Sequence, residues 1–172
     1  KMGDLMGLVK IKFEVLNEVQ FSRAFGDAAN KVNDLTLPFS LLANDFFTTM
    51  ANVFEAEGAF EEREKWQELS PTYAAWKARH YPGKKILERT GRMLRSLTIR
   101  GSEDNILKIE PMELQIGTRV PYAIYHQTGT PRLPMRKIIE LTGEQKKRWV
   151  QIVHKYIWSI YHQTAEQTRR YG

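Results

Sequence analysis

The sequence predicts an α+β fold that ends in a long C-terminal helix. Three observations predict it. Val9, Ile11, Phe13 and Val15 alternate with Lys10, Lys12 and Glu14; apolar residues gather again between Ile106 and Thr118 around turn formers; and an apolar stripe at helical spacing runs from Trp149 to Tyr161. The length of 172 residues suits one domain covering 1–172. A chain of this size hides about 70% of the surface that its unfolded form exposes, so it needs no covalent staple.

The first alternation predicts a strand at about 8–16, because a period of two is what one buried sheet face requires. Val19, Phe21, Phe25, Ala28 and Val32 follow mostly helical spacing and predict a helix ending near Asp34. Gly26 weakens it by about 1 kcal/mol relative to Ala. Pro38 suits a first helical turn, and Phe39, Leu42, Phe46, Met50, Val53 and Phe54 recur behind it, predicting a helix that reaches Glu57 and stops at Gly58. Its aromatic stripe reads as core. Residues 59–69 are charged without a clear period and read as a connecting loop.

Ser70 stands as a capping residue before Pro71, predicting a short helix that carries Tyr73, Trp76 and Lys77 as far as His80 and ends before Pro82-Gly83. Thr90 could cap another short helix with Met93, Leu94 and Leu97, its first turn softened by Gly91. Leu97, Ile99, Ile106, Leu107 and Ile109, then Met112, Leu114, Ile116 and Thr118, suggest two or three strands with turns at Gly101–Asn105 and Glu110-Pro111. The segment from Tyr122 to Thr130 reads as a short helix or a turn. Pro131 and Pro134 restrict any strand in 131–140 to an edge or to the residues after the second proline. Thr142 with Gln145 has the form of a capping box. A helix from there to about residue 169 would be roughly 40 Å long, so its distal turns should project or rest on a neighbour. The pentapeptide Ile-Tyr-His-Gln-Thr at 124–128 and 160–164 has unmatched flanks and reads as coincidence.

Charge is the next constraint. The formal net charge is +6, and between Lys77 and Arg95 the cations Lys77, Arg79, Lys84, Lys85, Arg89, Arg92 and Arg95 face only Glu88, so this one stretch accounts for the whole excess. It could sit on phosphates, dock on carboxylates of another copy, or be a solvated face. The lack of cysteine excludes a disulfide framework, a thiol nucleophile and a cysteine-ligated metal. No apolar stretch nears the roughly 18 residues that span a bilayer. Asp4, Lys10, Lys12 and Glu14 interrupt any signal-peptide core, so a soluble chain with no membrane partner and no export signal is expected.

Catalytic patterns are missing. His154 and His162 would lie about 12 Å apart along a helix, too far to share a metal, while His80 and His126 stand alone. Gly83-Lys84-Lys85 lacks the glycine and hydroxyl of a phosphate loop, and no nucleophile elbow occurs. No catalytic residue, cofactor or metal site is therefore expected, and no enzyme, although a site assembled from distant residues would escape such a search.

Between Trp66 and Arg136 small motifs occur in order. They are Trp66-x-x-Leu69-Ser70-x-Thr72 with Lys77; Ile86-Leu87-x-x-Thr90-Gly91-x-x-x-x-Ser96-Leu97; Ile116-Gly117-Thr118 with Tyr122-Ala123-x-x-His126-Gln127-x-Gly129; and Leu133-Pro134-x-Arg136. Together they resemble the phage virion morphogenesis family, the Mu G-like or tail-completion proteins of tailed bacteriophages. About 70 of the 172 residues are covered, with 1–60, the N-terminal strand and helices, expected outside the family match, 61–140 as the motif-bearing core and 141–172 as the C-terminal helix. The family usually continues Arg-Pro-Phe-Leu where this chain has Arg136-Lys137-Ile138-Ile139.

The resemblance implies an α+β fold, a small antiparallel sheet with packed helices, in agreement with the pattern above. It implies a virion structural protein that forms a homo-oligomeric ring at the head–tail neck or tail end, assembled in the host cytoplasm. Its neighbours would be neck, portal-side or tail proteins, and genomic DNA could pass through the ring. Arg89, Arg92, Arg95 and Arg136 would then bond carboxylates of an adjacent copy, because guanidinium forks match carboxylates. Tyr122, His126 and Gln127 suit a subunit contact or, equally, a tie to their own sheet. Gly91, Gly117 and Gly129 read as turn positions. A closed ring needs two complementary patches, for which the basic segment 77–95 and the acidic loop 55–68 are candidates. The alternative from another class is a DNA-binding protein that uses 77–95 on phosphates.

Overall fold

The computed structural model describes residues 8–12 and 34–171, with side chains described over 34–163. In chain order the elements are β1 (Leu8–Lys12), α1 (Thr36–Glu55), α2 (Pro71–His80), α3 (Arg92–Thr98), β2 (Asn105–Glu110), β3 (Glu113–Thr118), α4 (Ala123–Thr128) and α5 (Gly143–Tyr171). This is the α+β arrangement expected. The predicted helix before Asp34 and residues 13–16 of the predicted first strand lie outside the described residues.

α1 is buried on more faces than one amphipathic stripe would allow. Phe39, Leu42, Ala43, Met50 and Val53 are wholly inaccessible, and Phe46, Phe47 and Phe54 nearly so. The cause is position: α1 touches β2, α3 and α5. At its start the Asp34 carboxylate accepts the Thr36 N–H at 2.8 Å, and the Leu35 N–H donates to the Pro111 carbonyl at 2.8 Å. At its end Glu57 and Gly58 turn to positive φ, and Gly58 returns its N–H to the Val53 carbonyl at 2.8 Å. A Cβ on Gly58 would stand 2.7 Å from the Trp66 ring, so glycine is required there by space as well as by φ.

The sheet is antiparallel with order β1-β3-β2, pairing Ile11 with Leu114 and Leu107 with Ile116. On the central strand the side chains of Leu114, Ile116 and Thr118 are buried at a period of two, the signature visible in the sequence, and Gly117 is buried beside them. The Thr118 and Ser96 hydroxyls lie 2.6 Å apart, and Asn105 Nδ2 donates to the Ser96 carbonyl at 2.9 Å, fastening α3 to both strands of the hairpin. Two expectations are corrected here. Leu97 belongs to α3 and not to a strand, since its helical neighbours Met93 and Ser96 share its buried side. Gly117, expected at a turn, lies inside β3 between Leu8 and Ile106. Residues 131–140 form no strand, only an isolated bridge between Thr130 and Leu133.

α5 starts with half of the expected capping box: Thr142 Oγ1 accepts the Gln145 N–H at 3.2 Å. The Gln145 side chain does not return. It is fully buried, where its Oε1 accepts from Arg63 at 2.8 Å. Glu62 takes over at the helix start, accepting the Gly143 N–H at 2.6 Å. One turn on, Arg148 bridges Asp45 at 3.0 Å and Glu61 at 2.7 Å, and the Trp149 indole donates to Asp45 at 2.7 Å. Beyond this joint Trp149, Val153 and Ile157 are buried. Asp45→Ala would leave the indole and guanidinium of α5 short of their acceptor, and should lower stability to urea by about 1–3 kcal/mol. Glu64→Ala, at an exposed position of the same joint region, should leave the unfolding midpoint unchanged.

Candidate functional site

Part of each ordered motif, from stretches up to seventy positions apart in the chain, lines one cleft of about 850 Å³, while Ile116-Gly117-Thr118 stays in β3 outside the lining. Its walls are the entry to α2, the segment leading into α3, one side of α4 and the loop ending at Arg136. Each wall is held by side chains that the motifs supply. Ser70 caps α2 by accepting the Tyr73 N–H at 3.4 Å. Trp66 packs edge-on to Phe54 at 5.3 Å and donates its indole N–H to the Lys137 carbonyl at 2.8 Å. Arg136 reaches back across the same gap, its Nε to the Gln67 carbonyl at 2.8 Å and its Nη2 to Glu68 at 3.2 Å. The two side chains therefore strap 66–68 to 136–137 from both directions.

Gln127 closes the next stretch. Its Oε1 accepts from the N–H groups of Ile138 and Ile139 at 2.9 and 3.0 Å, and its Nε2 donates to the Ile139 carbonyl at 2.7 Å, in the manner of a strand edge. Ile138 is buried here, so an apolar side chain still fills the position where the family usually has Phe. Gly129 turns with φ +72, and a Cβ there would stand 3.0 Å from the Met135 nitrogen. Gly91 turns with φ +74 to open α3, and a Cβ would stand 2.9 Å from the Arg95 guanidinium, which bonds the Thr90 carbonyl at 3.0 Å.

Charge within the cleft is unevenly satisfied. Arg92 forms a two-pronged bond with Asp104 at 2.5 and 2.8 Å, and its guanidinium holds the Asp104 carboxyl below the usual carboxylate range. Lys77 is buried and donates to the Lys85 carbonyl, while Arg136 is buried on its two carbonyls; burial lowers the pKa of both. His126 has a lowered pKa, first from burial and then from Arg136, and its Nδ1 is buried without a hydrogen bond. Tyr122 meets its ring edge-on at 6.3 Å. Arg89 and Arg132 are exposed on the lining.

Of the expected contact residues, Arg89, Arg92, Tyr122, His126 and Arg136 line the cleft together with Gly91. Arg95, Gln127 and Gly129 lie outside the lining and brace it. The guanidinium groups of Arg92, Arg95 and Arg136 are all bonded within the chain. The acidic loop is similarly engaged: Glu55 meets Lys85, Glu57 accepts the Ile86 N–H at 2.7 Å, and Glu61 and Glu62 serve the start of α5. Sequence reasoning missed Asp104 and Arg132. Asp104 lies twelve positions from Arg92 across an irregular turn, where no periodicity marks it. Among the described residues no group of three His, Asp or Glu could hold a metal ion, and no helix is long and apolar enough to cross a membrane.

The Arg92–Asp104 pair makes stability depend on pH in a definite direction. A carboxyl with a depressed folded pKa contributes stability fully above its unfolded value of about 4, and that stability is lost as pH falls through the folded value. Asp104→Asn should lower the melting temperature at pH 7 and flatten its decline below about pH 4. An unchanged acid slope would show that the carboxylate gains nothing from Arg92.

The sequence profile of the phage virion morphogenesis family matches residues 16–157. No curated protein and no solved structure matches the chain. The expectation that residues up to 60 lie outside the family match is corrected: the match begins at residue 16, takes in all of α1 and covers more than half the length of the chain. The chain therefore belongs to the phage virion morphogenesis family and has a structural and assembly role in the phage particle.

Proposed function

We propose that this protein completes the neck or tail end of a tailed phage as a ring of identical subunits, and works by association and not by turnover. The observation that carries the proposal is the convergence of residues from each motif on one concave surface, where the buried Lys77 and Arg136 are held by backbone carbonyls. Trp66, Gln127 and Arg136 are occupied in shaping the cleft and are not arranged around a reacting atom. What such a surface offers a visitor is shape, exposed aromatic and aliphatic groups, and cations at its rim.

The DNA-binding alternative draws less support from the side chains. Of the seven cations in 77–95, Lys77 is buried, Lys85 is paired with Glu55, Arg92 is paired with Asp104 and Arg95 bonds the Thr90 carbonyl. Arg92 and Arg95 are exposed, but their guanidinium groups are engaged within the chain, whereas a basic stretch used for phosphates would keep its donors available.

Light scattering and negative-stain microscopy of the purified protein should find a closed oligomer, and antibody labelling of particles should place the protein at the head–tail junction or the tail tip. A solitary subunit in solution and in the particle would contradict the proposal. Duplex DNA in a gel shift should bind weakly and be released by moderate salt while the oligomer persists. Tight binding by a monomer would favour the alternative.

A further inference from the structure

The geometry points to the β2–β3 hairpin tip of a second copy as the occupant of the motif-lined cleft. This rests on the ring proposed above and names the contact that would build it.

The cleft is apolar in its walls and cationic overall. Tyr73, Tyr122 and Leu133 are large side chains left about two-fifths exposed on a concave surface of about 850 Å³. The lining carries five cationic side chains against two carboxylates, and the two buried cations, Lys77 and Arg136, are met by carbonyl oxygens and not by acids. Low-dielectric walls focus such an excess. A fitting visitor brings an apolar side chain with carboxylates beside it.

The hairpin tip has that chemistry. Glu110-Pro111-Met112-Glu113 places Met112, 41% exposed, next to an exposed proline and between two acids. Methionine adapts to irregular apolar pockets and makes favourable contacts with aromatic rings. Glu110 lies directly opposite Glu113 in the ladder, an arrangement that costs a hairpin stability. Lys108 bonds Glu110 at 2.5 Å and Gln115 donates to Glu113, and a cationic cleft would add opposite charge beside both carboxylates. The tip is also pre-set for docking, because the Pro111 carbonyl is anchored by the Leu35 N–H.

The two surfaces stand at opposite ends of α1. Its first turn is bonded to Pro111; its last residues meet Trp66 and Lys85, and Trp66 adjoins the lining residue Gln67. Twenty residues of helix separate them, about 30 Å. A hairpin so placed does not reach its own cleft, but it reaches that of another copy. Different patches meeting head to tail are the kind of contact that closes into rings.

The chain contains no cysteine, which makes cross-linking clean. Met112→Cys and Leu133→Cys proteins, mixed and oxidised, should give a cross-linked dimer well above the yield from either alone. Arg132→Glu and Met112→Asp, both at exposed positions, should keep the wild-type melting temperature and weaken self-association about tenfold or more. An oligomer that persists with neither cross-link nor weakening would overturn the hairpin assignment and leave the ring intact. Wild-type protein that stays monomeric in solution and in the particle would remove the ring itself. Loss of particle incorporation by Arg132→Glu with self-association unchanged would give the cleft to another virion protein, and would also overturn the inference.

Discussion

The burial of α1 is the constraint on which the rest of the structure depends. A helix with Phe39, Leu42, Phe46, Met50, Val53 and Phe54 on its surface needs partners around most of its circumference, and each such side chain is worth about 1.5–3 kcal/mol when fully buried. β2, α3 and α5 supply those partners. Because they do, the two ends of α1 become fixed reference points: the hairpin is tied to the first turn, and the Trp66 strap is built over the last.

From that frame the motif residues acquire a common purpose. Trp66, Gln127 and Arg136 satisfy backbone groups in segments that have no regular secondary structure, where unpaired carbonyls and N–H groups would otherwise be costly. Ser96 and Thr118 join α3 to the sheet through their hydroxyls. A family signature of this kind specifies a shape. The chemistry it presents to the outside is carried largely by neighbouring residues, such as Arg89 and Arg132, whose backbone the signature holds in place.

Much of this was legible in the sequence where the physics is local. The Ser70-Pro71 start of α2, the stripe of α1, the alternation of β3 and the position of α5 all follow from periods and caps confined to a few neighbouring residues. Gly91 and Gly129 do adopt positive φ, whereas Gly117 sits in a strand, since a glycine needed for a turn and one tolerated in a central strand look alike in one sequence. The charged loop 59–69 concealed its role most completely. Glu61, Glu62 and Arg63 meet residues about eighty positions away at the start of α5, and no spacing rule spans that distance. For the same reason the cations of 77–95 read as one patch, although Lys77 is buried and Lys85, Arg92 and Arg95 bond within the chain.

The central claim is that the cleft exists to receive a neighbour. High-resolution electron cryomicroscopy of the assembled ring or of the particle junction tests it most directly, because it shows what lies between Tyr73 and Leu133. The account predicts the Met112 side chain of the adjoining copy there, with Glu110 or Glu113 near Arg89 or Arg132. A solvent-filled cleft in a fully assembled ring, or a different chain seated in it, would contradict the account.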